Sequence, residues 1–275
     1  MFNDDYKTIQ RMVPRLQRVL IVDPQPNNAR LIGELMRSIA RSQVWTASST
    51  DKAMSICRVS DPQLVFVEQA GPDVDGAEFA RKLRRSDLAC RQSPVIMTTA
   101  VATAAGIMAA RDSGVHEFLR RPFTTKDLLR RLEAVTLRSR DWIEAVGYVG
   151  PDRRRFNSGD YSGPLKRRSD PRETPDSARM VQALKILGAA VGAVDSDPAQ
   201  ALRSMQAQAG ELQRTAVALS NLKLSAATAD FQRYLSKAAE RGPLDAAEVA
   251  AQAAGLLEFL PKDAAAPSRG GLKVA

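Results

Sequence analysis

The sequence predicts an α/β fold, a five-stranded, doubly wound parallel sheet, followed by an all-α C-terminal helical domain. Three observations carry this prediction. Between Arg18 and Arg140 short β-branched runs alternate with helical periods. Several of those runs are apolar on both faces, as strands covered by crossover helices must be. Across residues 177–261 seams such as Met180, Leu184, Leu187, Val191 and Val194 step by three and four, the spacing of helices. At 275 residues, 44% apolar and 26% charged, the chain has the length for about two domains and an ordinary globular composition.

The elements follow in order. Residues 1–17, MFNDDYKTIQRMVPRLQ, mix acids and bases without an apolar run and read as an N-terminal extension, not a secretory signal. The five strands are RVLIVD (18–23), QVWTA (43–47), QLVFVE (63–68), PVIMTT (94–99) and VHEFLR (115–120). Between and after them Ile32, Leu35, Met36 and Ile39, then Phe79, Ala80 and Leu83, then Leu128, Leu129, Leu132 and Val135 recur at helical spacing. These βα units make one domain over 18–147, whose ligand site belongs at the carboxyl ends of the strands where strand order reverses. Asp23, Glu68, Thr98 with Thr99, and Arg120 with Arg121 stand at those ends. Two acids, a hydroxyl and a base therefore converge.

"LIVD", "PQLVFVEQAGPDVDG", "PVIMTTA" and "GVHEFLRRPFTTKDLLRRL", in this order and spacing, resemble the receiver (CheY-like) domain of bacterial response regulators over residues 18–140. The resemblance implies a phosphoacceptor position at Glu68, where the family has Asp. It also implies a first-strand acid at Asp23 with Pro24 in place of the second acid, a hydroxyl at Thr99, Arg121 in place of a lysine, and the conformationally active aromatic at Phe118. Asp23 is then the one acid left of the family's Mg²⁺ pair. Glu lengthens the acceptor arm by a methylene, and phosphoryl transfer depends on in-line placement. Pro24 offers no ligand to a cation that demands near-octahedral oxygens. The planar fork of Arg121 suits a carboxylate. We therefore expect Glu68 to reach Thr99 and Arg121 and to pair with Arg121, fixing a phosphorylation-independent state. A silent docking scaffold and a conventionally phosphorylated regulator are the competing readings. Phe118 reads equally as a packed aromatic, and His116, the one histidine, as structural.

Residues 148–176 form an Arg/Gly/Pro-rich linker. In it GPDRRR (150–155) and GPLKRR (163–168) repeat thirteen residues apart, with Phe156 and Tyr161 between. Arg153, Arg154, Arg155, Lys166, Arg167 and Arg168 are candidates for phosphate oxygens and planar bases, hence for a cyclic dinucleotide or nucleic acid; a solvated linker is the alternative. Arg167 to Asp170 spells RxxD, a motif of some cyclic-di-GMP sites.

Residues 177–261 read as an α-helical interaction domain, with seams at Met180, Leu184, Leu187, Val191 and Val194 and at Leu202, Met205, Ala209, Leu212, Ala216 and Leu219. Asp197-Pro198, Gly242-Pro243, Asp245-x-x-Glu248 and Pro261 punctuate four helices, making a bundle or a dimerising hairpin. Residues 262–275 are expected to be disordered. This region has no histidine, which excludes a histidine phosphotransfer bundle, and it has no winged-helix pattern or nucleotide loop. Cys57 and Cys90 lie far apart in sequence and suggest neither a disulfide framework nor a zinc site.

The expectation is therefore a cytoplasmic, non-enzymatic pseudo-receiver with no cofactor, Mg²⁺ at Asp23 being the one alternative. It binds a kinase, phosphotransfer protein or another regulator, with a homodimer through the helical domain as a further expectation. No stretch has the length of a bilayer span.

Overall fold

The computed structural model describes residues 2–153 and 174–261, which fall into two compact units. The first runs to Ile143 and takes in the chain again from Tyr148; the second is Glu144–Gly147 with the chain from Thr174.

In the first unit β1 (Arg18–Val22), β2 (Gln43–Ala47), β3 (Leu64–Glu68), β4 (Val95–Thr99) and β5 (Glu117–Arg120) form a parallel sheet in the order β2-β1-β3-β4-β5. The order reverses between β1 and β3, so Asp23 and Glu68 end neighbouring strands at the switch point. Alternation divides the core. Leu20, Val22, Val65, Val67, Met97 and Phe118 pack with Ala53 of α3 (Thr50–Ser60) and Phe79, Ala80 and Leu83 of α4 (Gly76–Arg85). Val19, Ile21, Leu64, Phe66, Ile96 and Leu119 pack with Ile32 and Met36 of α2 (Pro26–Ala40) and Leu128 and Leu132 of α6 (Thr125–Leu137). Each such side chain removed from water contributes roughly 1.5–3 kcal/mol. Start signals are local: Asp75 accepts from Glu78 N at α4, Thr103 from Gly106 N at α5 (Ala104–Asp112), and Thr124 with Asp127 forms a reciprocal capping box at α6.

The expected N-terminal extension is part of this core. It forms α1 (Phe2–Met12), packs against α2 and α6, and buries Met12 and Leu16 with the sheet residues above. Ile9, Met12 and Leu16 lie at helical spacing on its inner side.

The stretch expected as linker from 148 begins with ordered chain. β6 (Trp142–Glu144) and β7 (Val149–Pro151) make a two-stranded hairpin. Gly114 and Gly150, at φ +88° and +154°, permit β7 to lie against the turn before β5, since a Cβ on Gly150 would meet Gly114 Cα at 2.7 Å. At its other end Thr174 caps α7 (Pro175–Val191), two residues earlier than expected.

The second unit contains four helices among the described residues, α7, α8 (Pro198–Ala218), α9 (Leu222–Arg241) and α10 (Ala246–Leu257). Each packs on the next and α10 packs back on α7, closing a bundle around Leu184, Leu187, Met205, Leu212, Phe231, Leu235 and Leu256. Asp197, Asn221 and Asp245 cap the last three helices. The final helix stops at Leu257 rather than at Pro261, because Phe259 N and Leu260 N turn back to Leu256 O and Leu257 O. A polar stripe on α8 is also internal. Gln200 donates to the Glu144 carboxylate at 2.9 Å, while Ser204 and Gln208 donate to Glu144 O at 3.0 Å each. No helix among the described residues is long and apolar enough to cross a membrane.

Candidate functional site

The sheet register sets the site before any side chain is considered. Glu68 stands opposite Thr98, and Thr99 opposite Arg120, with Arg121 N bonded to Thr99 O at 2.7 Å. Directly paired residues share a face of the sheet. Thr98 therefore lies beside Glu68, and Thr99 points to the other face.

Around this register one guanidinium joins two acids. Arg121 Nη2 lies 2.8 Å from Glu68 Oε2, and Arg121 Nη1 lies 3.0 Å from Asp23 Oδ2. Thr98 Oγ1 donates to the same Glu68 oxygen at 2.9 Å. Asp23 is held from behind by Gln25 N, which donates to Oδ1 at 2.8 Å. Burial pushes the Glu68 carboxyl above its ordinary value, and the Asp23 charge adds to this; the Thr98 hydrogen bond and Arg121 pull it down without cancelling the rise.

The loop after β3 packs onto the backbone of this site. Gly76 N donates to Gln69 O at 3.0 Å, and a Cβ on Gly76 would meet Glu68 O at 2.4 Å. Across the pocket, a Cβ on Gly71 would meet the Pro24 ring at 2.6 Å. Pro24 thus fills space beside Asp23 with carbon.

The expected Glu68–Arg121 contact is present, and Asp23 joins it. One expectation is corrected. Glu68 takes its hydroxyl from Thr98, while the Thr99 hydroxyl is spent locally, accepting from Val101 N at 3.1 Å and donating to Val101 O at 3.2 Å. Phe118 is buried in the core cluster on the α4 face of the sheet. His116 accepts from Val95 N at Nδ1, 3.3 Å away, and the same nitrogen faces Arg84 Nη2 at 3.2 Å. Burial, with Arg84 and Arg140 nearby, drives its pKa well below the usual histidine value, so the ring is neutral and structural.

Mg²⁺ does not fit this donor set. The two carboxylates face a guanidinium, Pro24 supplies no oxygen, and among the described residues no three His, Cys, Asp or Glu side chains group to hold a metal. Asp23, the remaining candidate ligand, is committed to Arg121 and to its own loop.

Of the arginine-rich repeat only Arg153 is described. It pairs with Asp112 at 3.0 Å and lies over the Tyr148 ring, 4.4 Å from the centroid. Arg154, Arg155, Lys166, Arg167 and Arg168 lie outside the described residues, as do the RxxD motif and residues 262–275.

Sequence reasoning also missed a buried base. Arg84 points inward from α4, donating to Gly114 O at 2.9 Å, Arg91 O at 2.6 Å and Ser93 O at 2.9 Å, with its guanidinium 5.3 Å from the Trp142 ring centroid. The signal was its place on the helix face of Phe79, Ala80 and Leu83.

Residues 19–133 match the profile of the response regulator receiver domain. The probable transcriptional regulator ycf27 of Porphyra purpurea is 29% identical over 124 residues, covering 45% of this chain and 49% of that protein. The DNA-binding dual master transcriptional regulator RpaA of Synechocystis is 27% identical over 124 residues, covering 45% and 51%. The chain spans about half the length of these curated relatives. Among solved structures, Vibrio cholerae chemotaxis protein CheY4 aligns with a TM-score of 0.40 at 21% identity, covering 42% of this chain and 96% of that one.

Proposed function

Because this chain carries a response regulator receiver domain, we propose that it signals by binding a protein partner and not by accepting a phosphoryl group. The observation that carries this reading is the position of Arg121, whose two terminal nitrogens hold Glu68 at 2.8 Å and Asp23 at 3.0 Å. The acceptor-position carboxylate is engaged by a cation of the chain itself, in the space where the related fold places a phosphoryl group and its metal. Charge-assisted contacts of this kind, one guanidinium nitrogen on each of two carboxylates, are shorter and stronger than neutral hydrogen bonds. They hold β1, β3 and the loop after β5 in one arrangement without an added ligand.

The partner is a protein of a two-component pathway: a kinase, a phosphotransfer protein or another regulator. The helical unit supplies a second, separate binding or dimerising surface.

The test is a beryllofluoride titration of the full chain with Mg²⁺, followed by NMR at Glu68, Thr98 and Arg121. No saturable shift is expected. Saturable, Mg²⁺-dependent shifts at these residues would overturn the reading, as would Mg²⁺-dependent labelling by acetyl phosphate that Glu68→Gln abolishes. Affinity capture with wild type and Glu68→Ala then identifies the partners that depend on the fixed carboxylate.

A further inference from the structure

We infer that Cys57 and Cys90 form a redox pair that a peroxide closes into an intramolecular disulfide. The two residues are 33 positions apart in sequence, yet the fold brings them together: Cys90 Sγ lies 3.7 Å from Cys57 O. Cys57 projects from α3 and Cys90 from the short 3₁₀ turn Ala89–Gln92 that leads into β4. Both belong to the same core cluster, at 2% and 1% exposure, and neither is in a disulfide. They are the only cysteines in the chain. A chance juxtaposition of both thiols in one apolar wall needs explaining, because free cysteine otherwise serves there as an ordinary small hydrophobe.

The chemistry is asymmetric. Cys90 donates its thiol proton to Cys57 O at 3.7 Å; the neighbouring Cys57 thiol lowers the Cys90 pKa, while Cys90 and burial raise that of Cys57. Cys90 is thereby the better nucleophile, since the thiolate is the reactive form. Its sulfur attacks a peroxide oxygen, the O–O bond breaks, and Cys90 becomes a sulfenic acid as water leaves. The Cys57 sulfur then attacks the Cys90 sulfur, forming the S–S bond. Hydroxide departs and takes the Cys57 proton as a second water. The peroxide is the two-electron oxidant, and both thiols are oxidised.

Access is short. Met54 and Arg58, which flank Cys57 on α3, line an open groove shared with Arg81, Lys82 and Arg85 of α4. A disulfide requires the sulfurs to close to about 2.05 Å. The bond would tie α3 to the turn that precedes β4, the strand carrying Thr98, and so couples the redox state of the wall to the strand that supplies the Glu68 hydroxyl partner. The inference does not depend on the proposed signalling role.

The test uses the full chain and hydrogen peroxide, with thiols counted by alkylation after unfolding and peptides mapped by mass spectrometry. Both thiols should disappear together, a peptide pair linking Cys57 to Cys90 should appear, and dithiothreitol should restore both. The oxidised chain should unfold at a higher urea midpoint than the reduced one. In Cys57→Ser, Cys90 should stop at a sulfenic acid that dimedone traps. Thiols that stay intact in the folded chain would overturn the inference. So would loss of one thiol while the other remains alkylatable, or crosslinks that form only between chains.

Discussion

Replacing Arg121 with Met should cost more than removing either acid it holds, because the replacement strands two carboxylates at once. Side-chain exposures of 2% for Asp23, 8% for Glu68 and 19% for Arg121 place the trio well away from the surface regime, in which ion pairs contribute about 0–1 kcal/mol. For a mostly desolvated group, loss of the counter-ion costs about 3–5 kcal/mol. Glu68→Gln is different. A Gln carbonyl can still accept from Thr98 and Arg121, Asp23 still holds the guanidinium, and a carboxyl that burial already disfavours is gone. Its cost should stay below about 1 kcal/mol. In a Glu68→Gln, Asp23→Asn background, Arg121→Met should lose about 2–3 kcal/mol of its effect, since no stranded charge remains. Urea unfolding followed by tryptophan fluorescence measures this cleanly, because both tryptophans, Trp45 and Trp142, lie in the first unit. An Arg121→Met cost no larger than that of Glu68→Gln, or an unchanged cost in the double background, would refute the reasoning.

Two further predictions concern the same unit. His116 is the one histidine, and its folded pKa lies well below the usual 6.5. The unfolded chain therefore takes up a proton that the folded chain refuses. Its stabilising contribution is complete above the unfolded value and falls on acidification by about 1.4 kcal/mol per pH unit until the folded value is reached. His116→Asn keeps an acceptor for Val95 N, and the difference in pH slope between it and wild type, read by urea unfolding between pH about 7 and about 5.5, should show this loss; parallel slopes would count against it. Gly76→Ala places a Cβ 2.4 Å from Glu68 O. It should cost about 1–3 kcal/mol by forcing the loop after β3 away from the strand, seen as a lower urea midpoint and as shifted Glu68 resonances.

Much of this architecture was legible, for reasons particular to each segment. Strands apolar on both faces, such as Leu64–Val67, are buried throughout, and their pattern reads as a covered parallel sheet. Asp23, Glu68 and Arg121 were legible as a group because a parallel sheet brings strand ends to one edge. The hydroxyl was not. β4 ends in two threonines, and which one faces Glu68 is a matter of register by a single residue, to which composition is blind. Arg84 shares the apolar face of Phe79, Ala80 and Leu83, but the run Arg81, Lys82, Arg84, Arg85 in which it stands masks it as one more solvated base. The carbonyls that hold it lie outside its helix, Arg91 and Ser93 in the segment that follows and Gly114 in the turn before β5. The Cys57–Cys90 contact depends likewise on how α3 meets the turn before β4.

Charge counting at the strand ends argues further for a binding role. Asp23 and Glu68 set two acids against the one base of Arg121, so ionised acids already leave the cluster with a negative excess. Phosphoryl transfer to Glu68 would replace its single negative charge by about two, and in the resembling family that charge is offset by Mg²⁺, for which this donor set is unsuited. To meet the new anion Arg121 would have to leave Asp23, stranding a carboxylate whose side chain is 2% exposed. In the proposed role, the residues that disfavour phosphoryl transfer are those that join the strand ends at the switch point, and a partner that reads that arrangement would need no transferred group to find it.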